Sequence, residues 1–347
     1  MHAGSGHYRM SNALVLIAPG MLALPAPQLA ARRSLATLAR YAGSPRVEPR
    51  GIAAALFGAL RVPAETPVGP LALLGAGADP DDDYVLCADP VHLAADRDTV
   101  VLARTIDDLS ASDADTLVRM LDRHFAEDDL RFEALRPNAW FVRRGQPTNI
   151  VTTPPDAARG RHLIASLPRG DDAGRWKRWQ NEIEMLLHEH AINAAREAQG
   201  KPAANAVWFW GGGRLADAGP MPKTVVTAAQ SRLGDLAHGI ARCTRRASPR
   251  MNDGLADVLR RAAKHGDASA FVLAVLPPAD GDLCGTEAAW LTPALELLES
   301  RRIGELHVIA DGNGAAATWS ARPPAWWQRI AARASPRTFK IPPPEDA

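Results

Sequence analysis

Short apolar runs rich in valine and leucine recur along the chain, separated by stretches with helical periodicity. The runs ALVLIA (13–18), AVWFW (206–210) and ELHVIA (305–310) have the length and composition of buried strands. Strands that alternate with helices usually pair in parallel and are covered on both faces, so the pattern predicts an α/β fold with a largely parallel central sheet. Further strands are predicted at 71–74, 84–88, 99–103, 139–142, 224–227 and 270–276, and helices at 27–42, 51–60, 112–126, 174–198, 252–265, 286–300 and 324–333.

The length of 347 residues is enough for one large or two ordinary domains. The segment TTPPDAARGR (152–161) is the clearest break between apolar patterns. It predicts an N-terminal α/β part over residues 1–153 and a C-terminal α/β part over 160–335, which closes the same or an adjacent sheet. Residues 336–347 are expected to form an extended tail, since proline and charge leave little apolar surface to bury.

The charge of the chain excludes a general attraction to polyanions. Forty basic and thirty-nine acidic residues give a net charge of +1, so we expect neither nucleic-acid nor membrane binding. Three widely spaced cysteines fit neither a disulfide framework nor a Cys-x-x-Cys metal site, which favours a cytoplasmic location. Prolines at 19, 25 and 27 interrupt the apolar N-terminal stretch, so that stretch predicts a buried strand and not a signal peptide or a membrane span.

The segment RWKRWQNEIEMLLHEHAINAAREAQG (175–200) carries the strongest helical signal. Apolar residues from Trp176 to Leu187 recur on one face, and His190 falls on the same face, where a buried, hydrogen-bonded histidine is expected. His188 and His190 are two positions apart and therefore point away from each other on a helix, which argues against a metal site there. One flank carries polar residues that predict either a solvated edge or a row directed towards the next strand: Glu182, Glu189, Asn193 and Arg196.

WFWGGGR (208–214) is the most distinctive segment of the chain. A strand that ends at the carboxyl edge of a parallel sheet is a common ligand site, and glycine backbone with an arginine suits a phosphate or a carboxylate. A tight turn after a strand with core tryptophans is the alternative interpretation. The candidate ligand-binding residues are Asn193, Arg196, Asn205, Trp208, Trp210, Gly211, Gly212, Gly213 and Arg214.

The segment NEIEMLLHEHAINAAREAQGKPAANAVWFWGGG (181–213) resembles the central signature of the RpfE-type regulatory proteins of bacteria. That signature joins an Asn-Glu-x-x-Met-Leu-Leu-His helix, an Asn-x-x-Arg-Glu turn and an Asn-x-x-Trp-x-Trp-Gly-Gly-Gly strand. The segments ADPVHLAADRDTVVL (88–102) and LRPNAWFV (135–142) resemble its upstream blocks. The resemblance implies a regulatory role and a weaker similarity to cofactor-independent phosphoglycerate mutases of the alkaline phosphatase superfamily. It therefore implies a three-layer α/β/α fold and a phosphorylated metabolite as the ligand.

The resemblance also implies a two-metal centre with a serine or threonine nucleophile. In that superfamily the first strand ends in a metal-binding Asp-Gly, whereas ALVLIA is followed here by Pro19 and Gly20. A late strand ends there in Asp-His-Gly, whereas ELHVIA is followed here by Asp311 and Gly312. We therefore expect a degenerate, non-catalytic member that has lost its metals and binds a small ligand. The alternative is an active mutase or phosphatase with Mn or Zn, whose ligands are then Asp89, His92, Asp96 and Asp311.

A third interpretation is a protein-binding module at the C-terminus. The segment WSARPPAWWQRIAARA (319–334) is rich in tryptophan and arginine, the residue types that dominate many protein interfaces. An amphipathic helix docked on its own core is the simpler explanation of the same pattern. The residues concerned are Trp319, Arg322, Trp326, Trp327 and Arg329.

Overall fold

The structure is a computed structural model that describes residues 11–96, 99–244, 255, 271–278, 283–312 and 314–325. Its strands lie in two separate sheets. The strands are β1 (Ser11–Ala18), β2 (Arg46–Glu48), β3 (Tyr84–Asp96), β4 (Thr99–Thr105), β5 (Arg131–Arg136), β6 (Ala139–Arg144), β7 (Ala206–Gly213), β8 (Thr224–Ala228), β9 (Phe271–Val275), β10 (Ile303–Gly312) and β11 (Ala315–Ala321).

Helices of very different length connect these strands. The helices are α1 (Ala26–Ala30), α2 (Arg33–Ala42), α3 (Ile52–Leu60), α4 (Val68–Ala76), α5 (Ala111–His124), α6 (Pro155–Ala158), α7 (Leu163–Ser166), α8 (Ala173–His188), α9 (Ala191–Ala198), α10 (Arg232–Cys243), α11 (Leu283–Thr286) and α12 (Thr292–Glu299). The last two are joined by a π-helical turn at Glu287–Leu291, and short 3₁₀ turns occur at Met21–Ala23, Ala126–Asp128 and Leu215–Ala218.

The chain divides into two compact units, each built from separate stretches of sequence. Unit 1 consists of residues 1–64, 221–230 and 240–346. Unit 2 consists of residues 65–220 and 231–239, together with residue 347. The division predicted from the sequence, into residues 1–153, 160–335 and a tail at 336–347, stays a prediction.

Unit 1 contains the parallel strands of the chain's described part. Its sheet has the order β2-β11-β10-β1-β9-β8, in which β10, β1, β9 and β8 run parallel and β11 and β2 are antiparallel. Strand β1 is central, and its side chains from Ala13 to Ala18 are buried because neighbouring strands and packed residues surround it. One face carries a core that includes Leu14, Leu38 and Trp319.

Unit 2 is built around an antiparallel sheet organised by β3. This strand pairs with β6 through Tyr84–Cys87 and with β4 through Val91–Asp96 along one edge, while β7 occupies the other edge. Strand β5 completes the sheet beside β6. Because β3 has neighbours on both edges, its residues from Tyr84 to Val91 are all buried.

The two faces of the unit 2 sheet are covered by different helices. Tyr84, Leu86 and Phe209 belong to a core cluster that also contains apolar residues of α5 and α8, among them Trp176 and Trp179. The side chains of a strand alternate between faces, so Val85 and Cys87 lie on the opposite face. Helix α4 packs there, with the Gly69 backbone against the Val85 carbonyl. The first face is called the α8 face below, and the second the α4 face.

The prediction of a mixed α/β protein is confirmed, whereas a single, largely parallel sheet is not. Residues 71–74 lie in α4 and not in a strand, because the run VGPLALLGA is apolar on every side and periodicity cannot separate such a helix from a strand. Three strands were missed. Strand β2 has only three residues, β5 alternates apolar with charged residues, and β11 is mostly alanine, so none of them has the apolar signal of a buried strand.

The predicted helix over 174–198 is two helices. Helix α8 ends at His188, and His190 is the N-cap of α9, with extended backbone and its Nδ1 accepting from the Ile192 N–H at 3.2 Å. His190 is therefore a half-buried cap and not a core histidine on a continuous apolar face. The flank predicted from a single helix is also divided, since Glu182 and Glu189 are exposed while Asn193 and Arg196 are buried.

Among the described residues, no helix combines the length and the apolar character that a membrane crossing requires.

Helices α4 and α10 are in contact in unit 2 at two glycines, and the stability of the protein should depend on this contact. A Cβ atom on Gly75 would overlap the Asp235 carbonyl, and one on Gly239 would overlap the Leu71 carbonyl. We expect Gly239→Ala to lower the free energy of unfolding by about 2–4 kcal/mol in urea denaturation, because backbone must move to admit the methyl group. Gly58→Ala is the control: that position in α3 is exposed with open space around it, so its change should be neutral or stabilising by up to about 1 kcal/mol.

Candidate functional site

The segment WFWGGGR forms the end of β7 and the turn after it. Strand β7 pairs antiparallel with β3, with Trp210 opposite Cys87 and Gly213 opposite Val85. The prediction that Trp208–Arg214 lies at the carboxyl edge of a parallel sheet is therefore wrong. The end of β7 contains three glycines in close contact with other elements, and one arginine follows them.

The two tryptophans of the segment are buried and hydrogen-bonded. Trp208 donates from Nε1 to the Thr153 carbonyl at 2.8 Å, and Trp210 donates from Nε1 to Asp89 Oδ2 at 2.7 Å. Both side chains are less than 5% exposed. A buried indole with its N–H paired is a packing element, so these contacts support the interpretation of core tryptophans.

The three glycines allow close contacts on both faces of the sheet. Gly211 has φ +67° and approaches Val68 at the start of α4, where an added Cβ would lie 2.7 Å from the Val68 Cβ. Gly213 likewise leaves no room for a Cβ beside Pro67. Gly212 faces the other way, and a Cβ there would lie 2.5 Å from the Tyr84 hydroxyl oxygen. A side chain at Gly212 would therefore displace the Tyr84 ring.

Asn193 and Asn205 hold the backbone that leads into β7. The Asn193 amide donates to the Leu187 and Ala204 carbonyls at 2.8 and 2.9 Å, and its Oδ1 accepts from the Ala204 N–H. The Asn205 side chain pairs with both the N–H and the carbonyl of Leu93, at the β-bulge of β3. The two side-chain amides thus pair with backbone N–H and C=O groups that would otherwise have no partner in the loop and at the bulge.

Arg196 has a comparable internal role. It is 5% exposed, donates from Nε to the Pro202 carbonyl at 2.9 Å and forms an ion pair with Asp108 at 2.6 Å. The Arg196 guanidinium lowers the pKa of Asp108 by this hydrogen bond. The ligand-binding role assigned to Asn193, Arg196 and Asn205 stays a prediction, and their observed contacts are all within the protein.

Arg214 is the member of the candidate set whose guanidinium is least occupied. Its backbone N–H donates to Asp217 Oδ2 at 3.0 Å, and its Nη2 donates to the Gly145 carbonyl at 3.1 Å. Its Nε is buried and has no hydrogen-bond partner in the described part of the chain. A buried guanidinium N–H without a partner carries a desolvation penalty, which a bound acceptor would relieve.

Two side chains that the sequence analysis did not single out lie beside Arg214. Tyr84 is directly opposite Arg144 in the β3–β6 pair, and the β3–β7 register reaches Val85 and Gly213, one position from Tyr84 and Arg214. Directly opposed residues share a face, so Tyr84 and Arg144 lie together on the α8 face. No sequence motif marks them, because the three residues are far apart along the chain and meet only through strand pairing.

Two of the alternative metal ligands of unit 2, Asp89 and His92, have partners within the protein. Asp89 is buried and accepts from Arg232 and Trp210, and His92 Nδ1 lies 2.9 Å from the Ala203 carbonyl. Asp96 is exposed at the end of β3. Within the described ranges, no group of three or more His, Cys, Asp or Glu side chains has a geometry able to hold a metal ion.

Asp311 belongs to unit 1, at the carboxyl ends of its parallel strands. Strands β1 and β10 are neighbours, and the Gly20 N–H after β1 donates to Asp311 Oδ1 at 2.6 Å. Pro19 supplies no ligand atom, and the Asp311 carboxylate is bonded to backbone. These residues do not fit the two-metal centre that the resemblance implies at the ends of these strands.

A buried charge cluster on the α4 face of unit 2 was also missed by the sequence analysis. Arg232 forms an ion pair with Asp89, donates to the Trp140 carbonyl at 2.9 Å and lies 4.3 Å from the Phe141 ring centroid. Arg136 makes a two-point ion pair with Asp235 beside it. The sequence gives no signal for this cluster, since isolated Arg and Asp residues are most often exposed.

The cluster lies next to the buried thiol of Cys87. Burial raises the pKa of Cys87 to about 12, with the Arg232 charge acting in the opposite direction. Attraction to Asp89 raises the pKa of Arg232 despite its burial, so the guanidinium stays charged. A thiol in this state is inert as a nucleophile at neutral pH.

Comparison with known proteins places the chain among distant relatives of one enzyme class. No protein-family model matches it. It is 26% identical over 156 residues to a probable 2,3-bisphosphoglycerate-independent phosphoglycerate mutase of Geobacter sulfurreducens, a stretch that covers 44% of this chain and 39% of the relative. The chain is distantly homologous to cofactor-independent phosphoglycerate mutases.

Other relatives match over shorter stretches. A 2,3-bisphosphoglycerate-independent phosphoglycerate mutase of Methanosarcina mazei is 28% identical over 107 residues, 30% of this chain and 27% of the relative. The corresponding mutase of Methanothrix thermoacetophila is 40% identical over 65 residues, 19% of this chain and 17% of the relative. The matched stretches therefore span less than half the length of these relatives.

Two solved structures are similar at low identity. The cofactor-independent phosphoglycerate mutase from Thermoplasma acidophilum has a TM-score of 0.40 and 16% identity, with 90% of each chain covered. The PH0037 protein from Pyrococcus horikoshii has a TM-score of 0.46 and 15% identity, with 90% of this chain and 87% of that chain covered.

The C-terminal segment proposed as a protein-binding module is described only in part. Trp319 is 1% exposed in the core of unit 1, and Arg322 pairs with Glu305 at 2.9 Å. Trp326, Trp327 and Arg329 lie outside the described residues. The described portion of the segment is thus bound to its own unit, and a role in partner binding stays a prediction.

The Asp89–Arg232 ion pair is expected to stabilise the fold. We expect Asp89→Asn to lower the free energy of unfolding by about 3–5 kcal/mol, because the Arg232 charge would remain buried without its counter-charge. Urea denaturation measures the change. Asp107→Asn is the matched control, since that carboxylate pairs with Arg104 at 3.6 Å on the surface and its loss should cost less than about 1 kcal/mol. Equal losses in the two variants would contradict the assignment of a stabilising buried pair.

Proposed function

We propose that this chain is an RpfE-type regulatory protein, a degenerate relative of the cofactor-independent phosphoglycerate mutases that binds a small phosphorylated ligand. The three-layer, alkaline-phosphatase-like arrangement implied by the resemblance is part of the same proposal. Its family assignment is supported by the signature-like residues at 181–213 and by the distant homology to the mutases. The phosphorylated ligand is inferred from the substrate named for those relatives.

The observation that carries the proposal is the environment of Arg214. Its Nε is buried without a hydrogen-bond partner in the described chain, and Gly211 and Gly212 beside it are only half-buried. Arginine is suited to phosphate because its guanidinium offers several fixed donors. A phosphate oxygen that accepts from Nε would satisfy a buried donor of Arg214 that has no partner in the described part of the chain.

The absence of phosphoryl transfer is proposed from the residues at the ends of β1 and β10. Proline and glycine occupy positions 19 and 20, where the resemblance implies a metal-binding carboxylate, and Asp311 is hydrogen-bonded to the Gly20 backbone. Binding without turnover is the chemistry that fits such a set of side chains. It is also consistent with a regulatory protein that responds to the concentration of a metabolite.

Calorimetric titration with 3-phosphoglycerate tests the proposed function. We expect saturable binding to the wild-type protein and an affinity about 10–100 times lower for Arg214→Ala, because a charge-assisted hydrogen bond is lost. Arg123→Ala, which removes an exposed arginine of α5, serves as the control and should bind normally. Wild-type protein that does not bind, or Arg214→Ala that binds equally well, would contradict the proposal. Conversion to 2-phosphoglycerate in the presence of manganese or zinc would replace it with the active-enzyme alternative.

A further inference from the structure

We infer that the site at the end of β7 holds a phosphate monoester dianion between two arginines, Arg144 and Arg214, with the Tyr84 hydroxyl as a third donor. This inference rests on the proposed function, and it adds two residues and the charge state of the ligand to it. The three side chains come from β6, the turn after β7, and β3.

Strand register brings these residues to one place. Tyr84 is paired with Arg144 across β3 and β6, so both project from the α8 face. On the other edge of β3, Val85 is paired with Gly213, which puts Arg214 one step further along beside Tyr84. The Tyr84 ring crosses Gly212, two residues before Arg214 and on the same side of the strand. Tyr84 therefore lies between the two arginines.

Arg144 is a buried arginine with an unpaired donor, as expected for a residue that binds an anion. It is 6% exposed, and its Nε is buried without a hydrogen-bond partner in the described chain. Its ion pair with Asp129 is 3.9 Å long, which is beyond hydrogen-bond distance. Buried arginines normally have their N–H groups paired, because an unpaired one costs about 1–3 kcal/mol or more. Arg144 and Arg214 thus each have a buried Nε without a partner in the described chain, and the two residues lie on either side of Tyr84.

A packing role alone does not account for Arg144. The guanidinium lies 5.6 Å from the centroid of the Trp179 ring, an interaction that stabilises a cation over an aromatic face. This contact with the ring face satisfies none of the guanidinium N–H donors. Those donors therefore remain available to an anion.

Tyr84 contributes a neutral donor. Burial raises the pKa of Tyr84 to about 12, with Asp217 adding to the rise and Arg144 opposing it, so the phenol keeps its proton at neutral pH. A protonated phenol donates to a phosphate oxygen without adding charge. Glycine at 212 is required for this arrangement, since a Cβ there would collide with the hydroxyl.

Three carboxylates lie around the site, and each accepts from backbone or hydroxyl donors. Asp129 accepts from the Gly145 and Gln146 N–H groups, and Asp217 accepts from the Arg214 N–H. Asp172 accepts from Thr148 and Asn149, which lower its pKa together with nearby arginines. These carboxylates accept from neutral donors, but their negative charges also lie near Arg144, so a ligand must compete with them. A phosphate monoester carries up to two charges and three acceptor oxygens, whereas a carboxylate carries one charge.

Titration of the full-length protein with 3-phosphoglycerate, inorganic phosphate and D-glycerate tests the inference. We expect the two phosphates to bind and D-glycerate to bind at least ten times more weakly. Arg144→Gln should weaken phosphate binding about 10–100-fold and Tyr84→Phe about 3–10-fold, since the first removes a charged donor and the second a neutral one. Arg104→Gln, an exposed arginine on β4, is the control for a lost positive charge and should bind as the wild type does.

The outcomes separate this inference from the proposed function. If the wild type binds phosphate and Arg214→Ala does not, while Arg144→Gln and Tyr84→Phe bind normally, the two-arginine site is wrong and the ligand site at Arg214 stands. If the wild type binds neither phosphate, both fail. Thermal unfolding identifies a variant that has lost its fold. In that case Arg144→Lys, which keeps the charge and the stem but removes the guanidinium fork, should retain the wild-type melting temperature and still bind phosphate more weakly.

Discussion

The buried ion pair between Asp89 and Arg232 is the interaction on which the architecture of unit 2 depends. It lies on the α4 face, where Asp89 also accepts a hydrogen bond from the indole N–H of Trp210. Two opposite charges in an apolar layer are tolerated only if each is closely paired, because desolvation of either one alone is expensive. This requirement couples three stretches that are distant in sequence: the middle of β3, the end of β7 and the start of α10. Glycines at 75 and 239 allow α4 and α10 to pack closely against each other in the same unit.

The residues that resemble a regulatory-protein signature have, in this chain, mainly architectural contacts. Asn193 and Asn205 pair with backbone groups of the loop and the bulge, and Trp210 pairs with Asp89. A motif made of such residues indicates how the unit 2 sheet is held together. It says less about what the sheet binds. Arg214 differs from them because its guanidinium keeps an unpaired donor. Similarity at the other positions therefore carries information about fold, while the proposed ligand binding would depend on a few side chains near the end of β7.

Much of the secondary structure could be predicted from the sequence, and most of the tertiary arrangement could not. Strands such as β1 and β10 are recognisable because parallel strands buried on both faces need continuous apolar residues. Helix α4 has the same composition and was mistaken for a strand. The antiparallel sheet was missed because two of its pairings, β3 with β6 and β3 with β7, join stretches that are distant in sequence. For the same reason Arg214 could be selected from its motif, whereas Tyr84 and Arg144 became candidates only once strand register was known.

The burial of Cys87 makes its thiol a probe of the opening of unit 2. Its thiol is completely buried under the charge cluster, while Cys243 and Cys284 are exposed. A thiol reagent can therefore modify the two exposed cysteines in the native protein but can reach Cys87 only when the sheet around β3 separates from α4. The rate of Cys87 modification under native conditions would report the free energy of that separation residue-specifically, as amide exchange does for backbone groups. The protein thus carries a label position for its own conformational fluctuations without any engineered cysteine.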